Sequence, residues 1–226
     1  MDPIISRRSG RRPYRKRKPV PAIVILVLLV AAGATVWVHV LRQAGNSTTQ
    51  SSCPAATDTP ASLPAITPLP YSALDHVQPV PAAQVRVRTL NASSQVGLAG
   101  RISLELSHYG FTQLGEPAND PRYPQGGMRC FGQIRFGPNG EGAARTLSLV
   151  VPCAQLVRDN RQDDSVDLAL GTYFTDLTPG ADAQQVLSQL ATWAKSHPAG
   201  AGGLQAQGTL PAVSAQLLAG AHTFRC

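Results

Sequence analysis

The sequence predicts an α+β protein: a single N-terminal transmembrane helix carrying a small exported domain of β-α-β-β-α-β-β order with a C-terminal helical extension. Three observations predict it. One uncharged stretch is as long as a bilayer is thick, hydrophobic spacing downstream switches between the periods of strands and helices, and all four cysteines lie beyond the uncharged stretch.

The 226-residue chain carries a formal charge of +7, but its position matters more than its size. Arg7, Arg8, Arg11, Arg12, Arg15, Lys16, Arg17 and Lys18 supply eight of the 20 Lys/Arg, against Asp2 as the one acid before residue 19. From Arg42 onward twelve basic residues meet twelve acidic ones, so the bulk of the chain exerts no net pull on phosphate backbones and nucleic acid is not an expected partner. Residues 1–21 therefore read as a basic cytoplasmic tail.

Residues 22–41, AIVILVLLVAAGATVWVHVL, contain no formal charge and as a helix would span ~30 Å, the thickness of a hydrocarbon core. Because the positive cluster precedes this stretch, the positive-inside rule keeps the N-terminus in the cytoplasm and exports everything after Arg42. The expected location is thus the cell membrane, single-pass, with an extracytoplasmic C-terminal domain. Ala32-Gly33-Ala34 has the small-residue character of a cleavage site, yet apolar sequence continues through Val36, Val38, Val40 and Leu41, which favours an anchor. Trp37 and His39 fall where rings rest at the outer interface. The tail serves as a topology signal, with anionic lipid headgroups as its alternative partner.

Residues 42–83 form a Pro/Ser/Thr-rich linker in which Pro54, Pro60, Pro64, Pro68, Pro70, Pro79 and Pro81 exclude regular helix or central strand. Such a spacer either extends from the membrane or folds back along the domain. Cys53, Cys130, Cys153 and Cys226 show no C-x-x-C spacing, and an even number outside the cytoplasm points to two disulfides.

The domain itself spans residues 84–176. Residues 85–90 alternate apolar and polar as a strand does, and Asn91-Ala92-Ser93-Ser94-Gln95 supplies turn and helix-cap chemistry. Leu98, Ala99, Ile102, Leu106 and Tyr109 lie on one helical face that Gly110 can end, and Phe111 opens a short second strand. Residues 116–127 read as a Pro-rich loop, 130–136 as a strand, 139–149 as a helix, 155–157 as a brief strand, 158–164 as a charged hairpin loop and 166–170 as the last strand. In the extension, residues 177–226, a helix over 181–196 places Val186, Leu187, Leu190 and Trp193 on one side; a Gly-rich break and a short helix over 211–219 follow. Trp193 reads as a packing residue and not as a sugar platform. A helix that returns antiparallel to its strand brings Cys153 back toward Cys130, which favours Cys130–Cys153 with Cys53–Cys226 among the three possible pairings, at ~3 kcal/mol for the first.

Three stretches, VRTLNASSQVGLAGRISLELSHYGF, IRFGPNGEGAARTLSLVV and VDLALGTYF, resemble the LytR C-terminal domain (LytR_C) family over residues 84–176. The resemblance implies this fold and brings no catalytic residues. In that family the domain often follows a catalytic domain that ligates glycopolymers to peptidoglycan, and residues 42–83 are too short and too proline-rich to be one. It implies a non-enzymatic contribution to cell-envelope integrity through an envelope glycopolymer or a cell-wall assembly partner. The alternatives are a module that positions a separate glycopolymer–peptidoglycan ligase and an exported envelope enzyme of unrecognised type.

No nucleophile elbow, zinc motif or phosphate loop appears, and His76, His108, His197 and His222 share no ligand spacing, so neither cofactor, metal nor catalytic residue is expected. Asp159, Asp163, Asp164 and Asp167 lack the spacing of a calcium loop and read as a solvated turn. The turn of Asn91, Ser93, Ser94 and Gln95, ahead of a helix, is a candidate site for an anionic group of a glycopolymer, with plain capping as the simpler reading. The sequence leaves the oligomeric state open.

Overall fold

The computed structural model describes residues 25–26, 28–37, 52–56, 60, 62–197 and 213–222. The chain divides into two units, Met1–Asn46 and Ser47–Cys226. In the first, residues 28–37 form helix α1, whose side chains are exposed throughout. Among the described residues no helix is long and apolar enough to cross a membrane. Apart from residues 25–26, the remainder of the expected span 22–41, including His39, and the basic tail 1–21 lie outside the described residues.

The second unit is built on a seven-stranded mixed sheet. Its strands are β1 (Thr67–Pro68), β2 (Arg86–Asn91), β3 (Gln113–Leu114), β4 (Ala118–Asn119), β5 (Gly132–Phe136), β6 (Gln155–Arg158) and β7 (Val166–Leu170). They run in the order β1-β6-β5-β7-β2-β3, with β4 also beside β2. β2 pairs in parallel with β7, β3 and β4; β5 is parallel to β6 and antiparallel to β7. β3 and β4 together make one interrupted edge along β2, and Pro117 between them has no N–H to offer the ladder. Part of the expected 116–127 loop is therefore strand.

The 158–164 segment is not a hairpin loop. β5 lies between β6 and β7, because its five residues are all buried and take the sheet's centre. The connection crosses the end of β5 at Gly137, where a Cβ would collide with the Arg161 carbonyl oxygen.

Helices α2 (Leu98–His108), α3 (Glu141–Val150), α4 (Ala181–Ser196) and α5 (Ala215–His222) complete the unit. Strand alternation sends Val87, Ile134, Phe136, Leu156, Val166 and Leu168 to one face, where they meet Ile102 and Leu106 of α2, Ala144 and Leu147 of α3 and Val186 and Leu190 of α4. Burial of each such large side chain contributes ~1.5–3 kcal/mol, so the C-terminal extension shares the core of the domain and is not a separate appendage. Gly110, at φ 88°, follows the end of α2 as expected. The start differs: Gly97, at φ 77°, is the N-cap of α2, and no side chain of residues 91–95 caps it. Trp193 is only half-buried and stacks on His197 at 4.5 Å, because α4 outruns the core one turn beyond Leu190.

The linker folds back. β1 adds to β6 as an antiparallel edge, where Pro68 is tolerated, and Leu74, Pro81 and Ala82 are buried. Thr146 donates its hydroxyl to the Val80 carbonyl at 2.6 Å, joining α3 to the same segment. The packed body thus begins well before residue 84.

The expected disulfide pairing is overturned. Cys53 is bonded to Cys130, which excludes both Cys130–Cys153 and Cys53–Cys226. A bend at Cys130 and Phe131 is the reason. Phe131 turns to the helix side, 4.7 Å from Phe174, and Cys130 turns to the opposite face, into a small cluster with Leu90, Ala92, Met128 and Ala169. Cys153 is also disulfide-bonded, and Cys226 lies outside the described residues.

Candidate functional site

The same alternation that builds the core gives the sheet a polar second face. Arg86 and Arg88 of β2, Asp167 of β7, Gln133 and Arg135 of β5 and Gln155 of β6 point away from the helices. In register, Asp167 stands between Arg88 on one side and Arg135 on the other. Opposite charges side by side on neighbouring strands suit the pairing.

Part of this face is covered. Arg135 turns from Asp167 to Asp120 of the 116–130 loop, with Nη1 and Nη2 at 3.0 and 2.7 Å from its two oxygens, and both side chains are at most 4% exposed. Gln133 accepts from Arg135 Nε at 3.0 Å and donates to Gln155 at 3.0 Å, so the buried polar row is satisfied. The disulfide, a hydrogen bond from the Tyr123 hydroxyl to the Pro54 carbonyl at 2.8 Å and one from Arg122 to the Pro64 carbonyl strap the linker over this loop.

Where the strap ends, a groove of about 620 Å³ opens, well within the size of ligand sites. Arg86, Arg88, Arg161, Asp159, Asp163 and Asp167 line it, and the β3 edge, Gln113 to Gly115, forms one wall. Asp167 accepts from Arg88 at 3.1 and 3.3 Å and from Arg161 Nη2 at 2.7 Å. Arg161 is further clamped by Asp159, with Nε 3.0 and 2.9 Å from the two oxygens and Nη2 at 2.7 Å. Burial works against the Arg161 charge, but the hydrogen bonds to Asp159 and Asp167 outweigh it and push the guanidinium above its ordinary range. The Ser165 hydroxyl and N–H, at 2.5 and 2.9 Å, hold the Asp163 carboxyl below the usual carboxylate range. Arg86 pairs with Asp164 at the rim. The result is a preorganised, charge-balanced set of donors and acceptors beside an apolar patch at Leu114.

The expected solvated turn holds in part: Asp163 is exposed and Asp164 pairs with Arg86 at the rim, whereas Asp167 is buried and Asp159 half-buried, held by arginines 2 to 79 residues away in sequence. A signal was available, since Arg86-Val87-Arg88 and Asp167 each place a charge on the non-core parity of a strand. Among the described residues no group of three or more His, Cys, Asp or Glu could hold a metal ion.

The turn of residues 91–95 closes on itself. Asn91 Oδ1 accepts from Ser93 N and Oγ at 3.0 and 2.8 Å, Asn91 Nδ2 donates to the Gln95 carbonyl at 2.7 Å, and Gln95 N–H donates to Ser93 Oγ at 3.1 Å. The Ser93 and Gln95 N–H groups are thus engaged within the turn; Ser94 is exposed, and the turn lies away from the groove lining.

The fold is thus a mixed sheet with two β-α-β units, helices on one face and a strapped polar face on the other, and the chain belongs to the LytR_C family, the LytR cell envelope-related transcriptional attenuator, which residues 84–174 match. The chain is similar to the cell envelope integrity protein Cei of Mycobacterium tuberculosis, at 39% identity over 181 residues that span 79% of this chain and 83% of Cei. It is likewise similar to the crystal structure of the soluble domain of a conserved hypothetical secreted protein from Mycobacterium marinum. That match has 36% identity and a TM-score of 0.58, over 71% of this chain and 97% of that one.

Proposed function

We propose that this chain is a non-enzymatic, membrane-anchored envelope protein, cytoplasmic at its N-terminus, that supports cell-envelope integrity by holding a glycopolymer in the groove between β2 and the 159–165 connection. The kinship with a cell envelope integrity protein over most of both chains carries the reading. The uncharged stretch 22–41 behind a basic tail supports the anchor, and likeness to the soluble domain of a secreted protein supports export of residues 47–226. The groove supports the ligand: hydroxyl-rich chains both donate and accept, and its three arginines and three aspartates offer both without net charge.

Deletion of the protein in its native host, scored for sensitivity to detergents, dyes and cell-wall drugs, tests this. Full-length protein should restore resistance, and Arg86→Ala/Arg88→Ala should not, at equal abundance. Unchanged permeability on deletion would sink the envelope role; full rescue by the double variant would sink the groove.

A further inference from the structure

A second cavity, of about 230 Å³, lies where the strap meets the 116–130 loop, between Pro54 to Ala56 on one side and Arg122, Tyr123, Gln125 and Arg129 on the other. Its charge is out of balance. Arg122 is 9% exposed, and its guanidinium meets only the neutral Pro64 carbonyl. Of the two carboxylates whose charge reaches it, Asp120 gives both oxygens to Arg135 and accepts from Arg122 only through the backbone N–H at 2.9 Å, and Asp159 is clamped on Arg161. Arg129 is exposed at the rim. Among the described residues no carboxylate forms an ion pair with either arginine, and none lines the cavity.

A buried cation whose neighbouring carboxylates are committed to other arginines is costly, and one that lines a cavity with a second cation beside it is a site for an anion. Burial, followed by repulsion from Arg135, pulls the Arg122 guanidinium below its ordinary range, a direction that a bound anion would reverse. We infer that this cavity binds a phosphate group, with Arg122 as the buried donor and Arg129 closing over it. Phosphate suits the pair better than carboxylate, because its additional oxygens let two guanidinium forks bind from different sides. The source is a free phosphate ester, a phosphorylated sugar or a phospholipid headgroup, which share this chemistry. The site is distinct from the β2 groove and does not depend on the reading of that groove.

Full-length protein in neutral detergent is titrated calorimetrically with inorganic phosphate, glucose 1-phosphate, glycerol 1-phosphate and acetate at constant ionic strength. One site that prefers the phosphates to acetate is expected, with affinity lowered on the order of tenfold or more in Arg129→Ala and in Arg122→Gln. Since Arg122→Gln could unsettle the loop, Arg129→Ala, at an exposed position, keeps the test interpretable. Preference for the sugar phosphate or for the glycerol phosphate separates a glycan source from a lipid one. Absence of phosphate binding, equal binding of acetate, or unchanged affinity in Arg129→Ala overturns the inference.

Discussion

Asp120→Ala tests most directly whether the 116–130 loop is held to the sheet by one buried ion pair. The Asp120 side chain is wholly buried and accepts from Arg135 at 3.0 and 2.7 Å. Its removal leaves a guanidinium that is 4% exposed facing only Gln133, and uncompensated buried charges of this kind cost ~3–5 kcal/mol. In a folded body of this size each kcal/mol moves the melting midpoint by ~2–4 °C, so a fall of about 6–20 °C is expected. Arg135→Met alone should cost about as much, for the mirror reason. Asp120→Leu/Arg135→Met removes both charges and should recover most of the loss, because an apolar pair of similar volume replaces a desolvated ion pair almost neutrally. Thermal unfolding of all variants by circular dichroism gives the coupling energy. Additive losses in the double variant would refute the reasoning, and a fall of under 2 °C in Asp120→Ala would show that the pair is wet.

Peptide mapping without reduction should recover a Cys53–Cys130 linked fragment and none joining Cys130 to Cys153; Cys53→Ser/Cys130→Ser should destabilise by about 4 kcal/mol, from release of a 77-residue loop, in urea unfolding. Gly137→Ala should lower the melting midpoint sharply although its backbone angles suit alanine, because the new Cβ strikes the Arg161 backbone; a neutral result would mean the 159–165 connection can yield. Tyr71 is pushed up to about 12 by burial, with Arg145 opposing and Asp75 assisting. Because the folded state prefers the neutral phenol, its contribution is complete below pH 10 and is lost between pH 10 and about 12. Tyr71→Phe should flatten that part of the stability profile, and ultraviolet titration should show one fewer late-ionising tyrosine.

The alternation of Val85 to Leu90, the apolar spacing of Leu98 to Leu106 and the boundaries of Ala181 to Ser196 were legible because local periodicity is a property of neighbouring residues. The same alternation marked Arg86, Arg88 and Asp167 as non-core, but not as partners. Asp167 and Asp164 could not be read as partners because Arg88 and Arg86 come from β2, 78 to 79 residues away, which no local pattern encodes; Asp159 pairs with Arg161 two residues on, and Asp163 stays exposed.

The family, the order of the main helices and strands apart from β1 and β4, the charge asymmetry and the uncharged 22–41 stretch follow from the sequence by itself, since each depends on composition or short-range spacing. Tertiary structure alone decided that β5 separates β6 from β7, that the proline-rich linker straps the polar face, and that Cys53 joins Cys130. Those are choices of which face a residue takes at a bend and which strand claims the centre of a sheet. They are settled by packing between segments distant in sequence, 77 residues apart at Cys53 and Cys130, so Phe131 turning inward to Phe174 is what sends Cys130 to the strap.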